Sequence, residues 1–196
     1  MKVERALRNL WLLHNPDTHG SIRATPPNTC SHGQENHMRL QAPKCQELTK
    51  AGVSPEFARV LTRPAEVAPN LDIIIQKSDW DYPIPTGVTS VVPIYGHNAD
   101  MTVRWQRNGR EEFANIHHDG DDWHIVATSE QGLMAQILFE YSQMAMLTDK
   151  EQSENLPHWR RIAKMMGFLY EKEYWEWLDQ PDTGCIRWNQ WILDLR

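Results

Sequence analysis

Residues Met101 to Ile116 read MTVRWQRNGREEFANI. Met101, Val103 and Trp105 alternate with Thr102, Arg104 and Gln106, the period of a strand with one buried face. Asn108-Gly109 follows, the dipeptide that most readily supplies the two positive φ angles of a two-residue hairpin turn. With this dipeptide as the loop, Met101 lies across from Ile116, Val103 from Ala114 and Trp105 from Glu112. One face of the hairpin is then mostly apolar, as a sheet packed on helices requires.

The next strand signal, Trp123 to Thr128 (WHIVAT), must put Trp123, Ile125 and Ala127 on the same face as Ala114 and Ile116. Side chains alternate along a strand, so only an even-numbered loop does this: either DGDD (119–122) or a tight Asp119-Gly120. His117 and His118, as neighbours in a strand, would then face opposite sides and not chelate one ion together. The histidine-rich stretch NIHHDGDDWHIV thus reads as a hairpin tip, with the turn residues its backbone demands. A metal site there would pair His117 with His124 across a DGDD loop and take Asp122 or another turn aspartate as a third ligand. Zinc sites are usually closed by four ligands, and none nearby completes the set, so neither a metal nor another cofactor is expected.

Outward from this meander, Val88 to Tyr95 (VTSVVPIY) is an apolar, β-branched strand signal. Thr128 to Gln131 has the form of a capping box, followed by Leu133, Ile137, Leu138, Tyr141 and Met144 or Ala145 at helical spacing. A second amphipathic run spans His158 to Trp177, with Trp159, Ile162, Ala163, Met166, Leu169 and Tyr170 on its apolar side. A short element around Trp188 to Leu195 ends the chain. Upstream, residues 4–14 suit a short amphipathic helix stopped by Asn15-Pro16. Residues 16–50 read as a long loop, and Ser54-Pro55-Glu56 opens a helix with Phe57, Val60 and Leu61 on one face. The expected architecture is a single α+β domain over residues 1–196: an antiparallel meander packed against helices, with residues 129–196 helical.

Residues 1–98 hold ten Lys and Arg against nine Asp and Glu, and residues 99–196 hold ten against seventeen, so the halves carry +1 and −7. An acidic half with no basic stripe repels phosphate backbones, which argues against nucleic acid and for a basic protein partner. No uninterrupted apolar run approaches the ~20 residues that cross a bilayer, and the N-terminus is too charged for a secretory signal, so a cytoplasmic protein without a membrane partner is expected. Cys30, Cys45 and Cys185 are odd in number and contain no CxxC pair, the usage of reduced thiols. Cys30, His32, His37 and Cys45 have zinc-ligand chemistry in a spacing that matches no common finger or ribbon. Five of nine tryptophans (Trp159, Trp175, Trp177, Trp188, Trp191) fall near the C-terminus, where core packing of a helical layer explains them.

The segment Ile84 to Tyr141 resembles the sheet and following helix of bacterial SUKH-type proteins, in strand lengths, an aromatic in a central strand (Trp105), a short acidic turn and a helix after the last strand. Many members of that family are immunity proteins against nuclease and other toxins. The resemblance implies a non-catalytic protein that binds a cognate toxin and occludes its active cleft. Asp119, Asp121 and Asp122 at the hairpin tip and Glu111 and Glu112 on the preceding strand are the candidate partner-binding residues, standing in for phosphates. The chain has no Walker loop, dinucleotide fingerprint, HExxH or GxSxG. Two alternatives are a metal-dependent enzyme using His97, His117 or His124, and an adaptor docking through its Trp-rich C-terminal helices.

Overall fold

The computed structural model describes residues 36–118, 123–147, 152–178 and 185–196; the helix expected over residues 4–14 lies outside them. In chain order the elements are β1 (Asn36–Gln41), α1 (Cys45–Lys50), α2 (Pro55–Thr62), α3 (Pro64–Val67), α4 (Leu71–Ile74), β2 (Asp79–Ile84), β3 (Val88–His97), β4 (Asp100–Arg107), β5 (Arg110–His117), β6 (Trp123–Ala127), α5 (Glu130–Leu147), α6 (Gln152–Met166), α7 (Glu171–Leu178) and α8 (Cys185–Asp194). The fold is α+β: an antiparallel four-stranded sheet in the order β3-β4-β5-β6, a separate two-stranded sheet of β1 and β2, and a helical C-terminal part. No helix among the described residues is long and apolar enough to cross a membrane.

The β4–β5 hairpin forms as its alternation demands. Asn108 and Gly109 take φ of 52° and 73°, and Met101, Val103 and Trp105 pair with Ile116, Ala114 and Glu112. Between β5 and β6, Ile116 pairs with Trp123 and Asn115 with His124, the register of the tight Asp119-Gly120 alternative and not of a DGDD loop. His124 therefore lies across from Asn115 and not from His117, which removes the cross-strand histidine pair. The expectation that His117 and His118 face opposite sides also fails. The strand stops at His117, His118 belongs to the turn, and the two rings lie 5.1 Å apart.

Residues 36–50, expected within a long loop, instead form β1 and α1. β1 pairs with β2 over its whole length, Asn36 with Ile84 through Gln41 with Asp79. Pro83 sits in β2, where a strand with a free outer edge tolerates a missing N–H. This ribbon changes what covers the sheet. The apolar side chains Met101, Val103, Trp105, Ala114 and Ile116 cluster with Leu40 and Tyr82 of the ribbon, not with helices. Trp105 is fully buried there, and its indole stands edge-on to Trp123 with ring centroids 5.5 Å apart. A buried indole removes ~150–250 Å² from water, several kcal/mol at roughly 25 cal/mol per Å². The ribbon is tied to the sheet edge where Gln76 and Gly96 exchange backbone hydrogen bonds of 2.7 and 2.9 Å. Glycine is required at that contact, because a Cβ on Gly96 would stand 2.4 Å from the Cβ of Ser78.

The opposite face of the sheet meets the helices. Ile94, Tyr95, Phe113 and Ala127 join a larger core with Phe57, Val60, Leu133, Ile137, Leu138, Trp159 and Ile162. The N-cap of α5 is Ser129, whose Oγ accepts the Gly132 N–H at 3.1 Å, one residue later than the capping box predicts. Gln131, the expected box partner, instead holds the turn after α6: its amide donates to the Gly167 carbonyl and accepts the Leu169 N–H. That turn splits the run expected as one helix from 158 to 177, since Gly167 takes a φ of 78°. Beyond it Leu169 points to solvent, not into the apolar stripe. Trp159 and Trp188 are buried, and Trp175, Trp177 and Trp191 pack against the same core, as a helical layer of tryptophans should.

Candidate functional site

Titratable side chains gather at one end of the helix-facing side of the sheet. Cross-strand partners share a face, and Asp100 pairs with His97 on one side and with His117 on the other. The adjacent row on the same face runs Tyr95, Thr102, Asn115, His124. Glu140 descends from α5 onto this end, with Oε2 3.4 Å from His97 Nδ1, while Gln136 donates to its other oxygen at 3.0 Å. His117 Nε2 lies 3.7 Å from Asp100 Oδ1. Thr102, almost fully buried, donates from its hydroxyl to the Asn115 amide oxygen at 2.6 Å.

These neighbours shift protons in defined directions. The Glu140 carboxylate, accepting from the imidazole, raises His97 above its ordinary value; burial opposes this, and the charges of Glu140 and Asp100 reinforce it. The Tyr95 phenol is pushed well up, first by burial and then by the Glu140 charge. The charge of this end of the sheet therefore responds to pH through the His97 imidazole. Chemically it holds and exchanges protons. The Thr102 hydroxyl is buried and donates to Asn115, so it is not free to act as a nucleophile for a histidine base. Among the described residues no group of three or more His, Cys, Asp or Glu is placed to hold a metal ion. No signal in the strands singled out Glu140 beforehand, because its partner His97 lies 43 residues upstream and the pairing depends on how α5 crosses the sheet.

The proposed partner-binding acids fall into separate places. Asp119, Asp121 and Asp122 lie outside the described residues. Glu111 and Glu112 stand near the start of β5, and at ~3.3 Å per residue they are about 20 Å from the strand's other end. Glu112 turns to the ribbon-covered face and is largely buried, accepting from the Trp105 indole at 3.2 Å and from Arg107 at 3.1 Å. Arg107 in turn covers the Trp123 ring at 4.6 Å. Glu111, on the other face, is half-exposed and pairs with Arg104, whose guanidinium also donates to the Ala51 carbonyl beside Gly52. Of the Cys30, His32, His37 and Cys45 group, Cys30 and His32 lie outside the described residues, and Cys45 is a partly buried free thiol at the start of α1. No protein-family model matches the chain, and no curated protein or solved structure matches it either.

Proposed function

We propose that this chain is a non-catalytic binding protein that meets a basic protein partner through the acidic residues of its second half. The observation that carries the reading is where the negative charge lies. Of the seventeen acids in residues 99–196, seven (Asp119, Asp121, Asp122, Asp149, Glu151, Asp179, Asp182) stand in segments 119–122, 148–151 and 179–184, against one base, Lys150. The rest of that half holds ten acids and nine bases, so its excess of −7 is −6 in those three stretches of sequence and −1 elsewhere. Negative charge concentrated in a few short stretches of sequence suits the steering of a basic partner.

The resemblance of residues 84–141 to SUKH-type proteins supports a finer version: an immunity protein that blocks a toxin by covering its cleft, with aspartates in the place of substrate phosphates. Glu112 drops out of the contact set because its carboxylate already serves Trp105 and Arg107. Glu111 is secondary because Arg104 holds it. Changing Asp119, Asp121 and Asp122 to lysine should slow association with a basic toxin encoded beside this chain, most at low salt, and leave the unfolding midpoint unchanged. Association rates equal to wild type at two ionic strengths would take the hairpin tip out of the interface. No complex with any product of an adjacent gene would overturn the immunity reading.

A further inference from the structure

A cleft of about 960 Å³ opens between the first helices and β3. Its apolar side includes Leu61, Ile75 and Ile94, all buried, and most of its exposed lining is apolar. Three cations, Lys44, Arg63 and Lys77, stand around it with two acids, Glu66 and Asp72. Arg63 and Glu66 lie 3.7 Å apart as an exposed pair, so their charges offset each other. Lys44 and Lys77 are exposed and make no ion pair among the described residues, leaving two uncommitted cations against Asp72.

From this combination we infer that the cleft binds a small amphipathic anion: an apolar body with one carboxylate or sulfonate head. An apolar pocket with a few polar groups at its edge is the common form of a small-molecule site. Leu61, Ile75 and Ile94 take the body out of water, and Lys44 and Lys77 of the lining supply positive charge for the head. Lysine suits this role because its ammonium is a compact point charge on a flexible stem, adaptable to a single anionic group. The chain as a whole is negative, so an anion is drawn to this cleft against the overall charge only by local cations.

Anilinonaphthalene sulfonate is a direct probe, being an aromatic body with one sulfonate. Added to the full-length protein, it should fluoresce with saturation at one molecule per chain and raise the melting temperature. Changing Lys44→Glu and Lys77→Glu together should weaken binding about tenfold at low salt, the scale of two exposed ion pairs lost, and high salt should erase most of the difference. Lys172→Glu on α7, an exposed charge far along the chain, should leave affinity unchanged, and Ala65→Trp should abolish binding by filling the cleft. Native circular dichroism of each variant separates loss of the site from loss of the fold. Probe binding that is absent, that does not saturate, that survives the paired lysine reversal, or that weakens equally with Lys172→Glu would overturn the inference.

Discussion

On one face of the central sheet, Met101, Val103 and Trp105 meet Leu40 and Tyr82 of a two-stranded ribbon; on the other, Phe113 and Ala127 meet helices beside a row of histidines and carboxylates. The first face is dry, and the polar groups at its margin are paired: Glu112 with Trp105 and Arg107, and Ser78 with the Tyr82 hydroxyl at 2.6 Å. The second carries Thr102, Arg104 and Asn115 between its apolar contacts, and its titratable end is only partly covered. Alternation along a strand therefore tells which side chains share a face and not what seals it. Helices cover the more polar face here because α5 supplies Glu140 and Gln136 to the sheet's end along with the apolar Leu133 and Ile137.

The largest expected effect tests the ribbon-covered face. Trp105→Ala removes the largest side chain of that cluster and one of the two donors to Glu112, and should cost about 3–5 kcal/mol in denaturant unfolding. A loss below 1 kcal/mol would mean that the ribbon does not close a true core. Next comes the packing of α8 on α5 at the helical face. Gly132→Ala in a helix normally stabilises by up to ~1 kcal/mol. Here the added Cβ would stand 2.6 Å from the Ile192 carbonyl oxygen and 3.1 Å from the Ala127 Cβ, so the sign should reverse to a loss of about 1–3 kcal/mol. A raised melting temperature for this variant would show that α8 does not lie against that turn. Ser129→Ala, which strips the cap of α5, should lower stability by about 1 kcal/mol.

The smallest effect is the pH response of the titratable end. His97 is raised above its ordinary value of 6.5 in the folded protein, so the stability it contributes is complete below that pH and declines as pH rises through its folded value. Unfolding midpoints at pH 6 and pH 8 should show this decline in the wild type and a smaller one in Glu140→Gln. Equal slopes in the two proteins would separate His97 from Glu140.

The Asn108-Gly109 hairpin was legible because its determinants are local: two residues able to take positive φ, flanked by clean alternation. The ribbon was not, because NHMRLQ and DWDYPI each lack a clean period and meet across some forty residues of chain, where only the tertiary fold decides pairing. Gly167 was visible as a glycine inside an amphipathic run, and its left-handed turn, with Leu169 beyond it in solvent, shows why periodicity alone overextended that helix. The β5–β6 loop left two registers open in the sequence, and the choice between them decided whether His117 faced His124. At the candidate site the histidines were visible as residue types. Glu140 and the burial of Glu112 were not, since both depend on neighbours from other strands or helices.

Stoichiometry separates binding from catalysis most directly. Purified toxin from an adjacent gene, titrated with this chain, should lose activity linearly and reach zero at one chain per toxin, with a one-to-one complex of unmodified chains in native mass spectrometry. Inactivation by a small fraction of an equivalent, with the toxin released altered, would contradict a binding role and make this protein an enzyme.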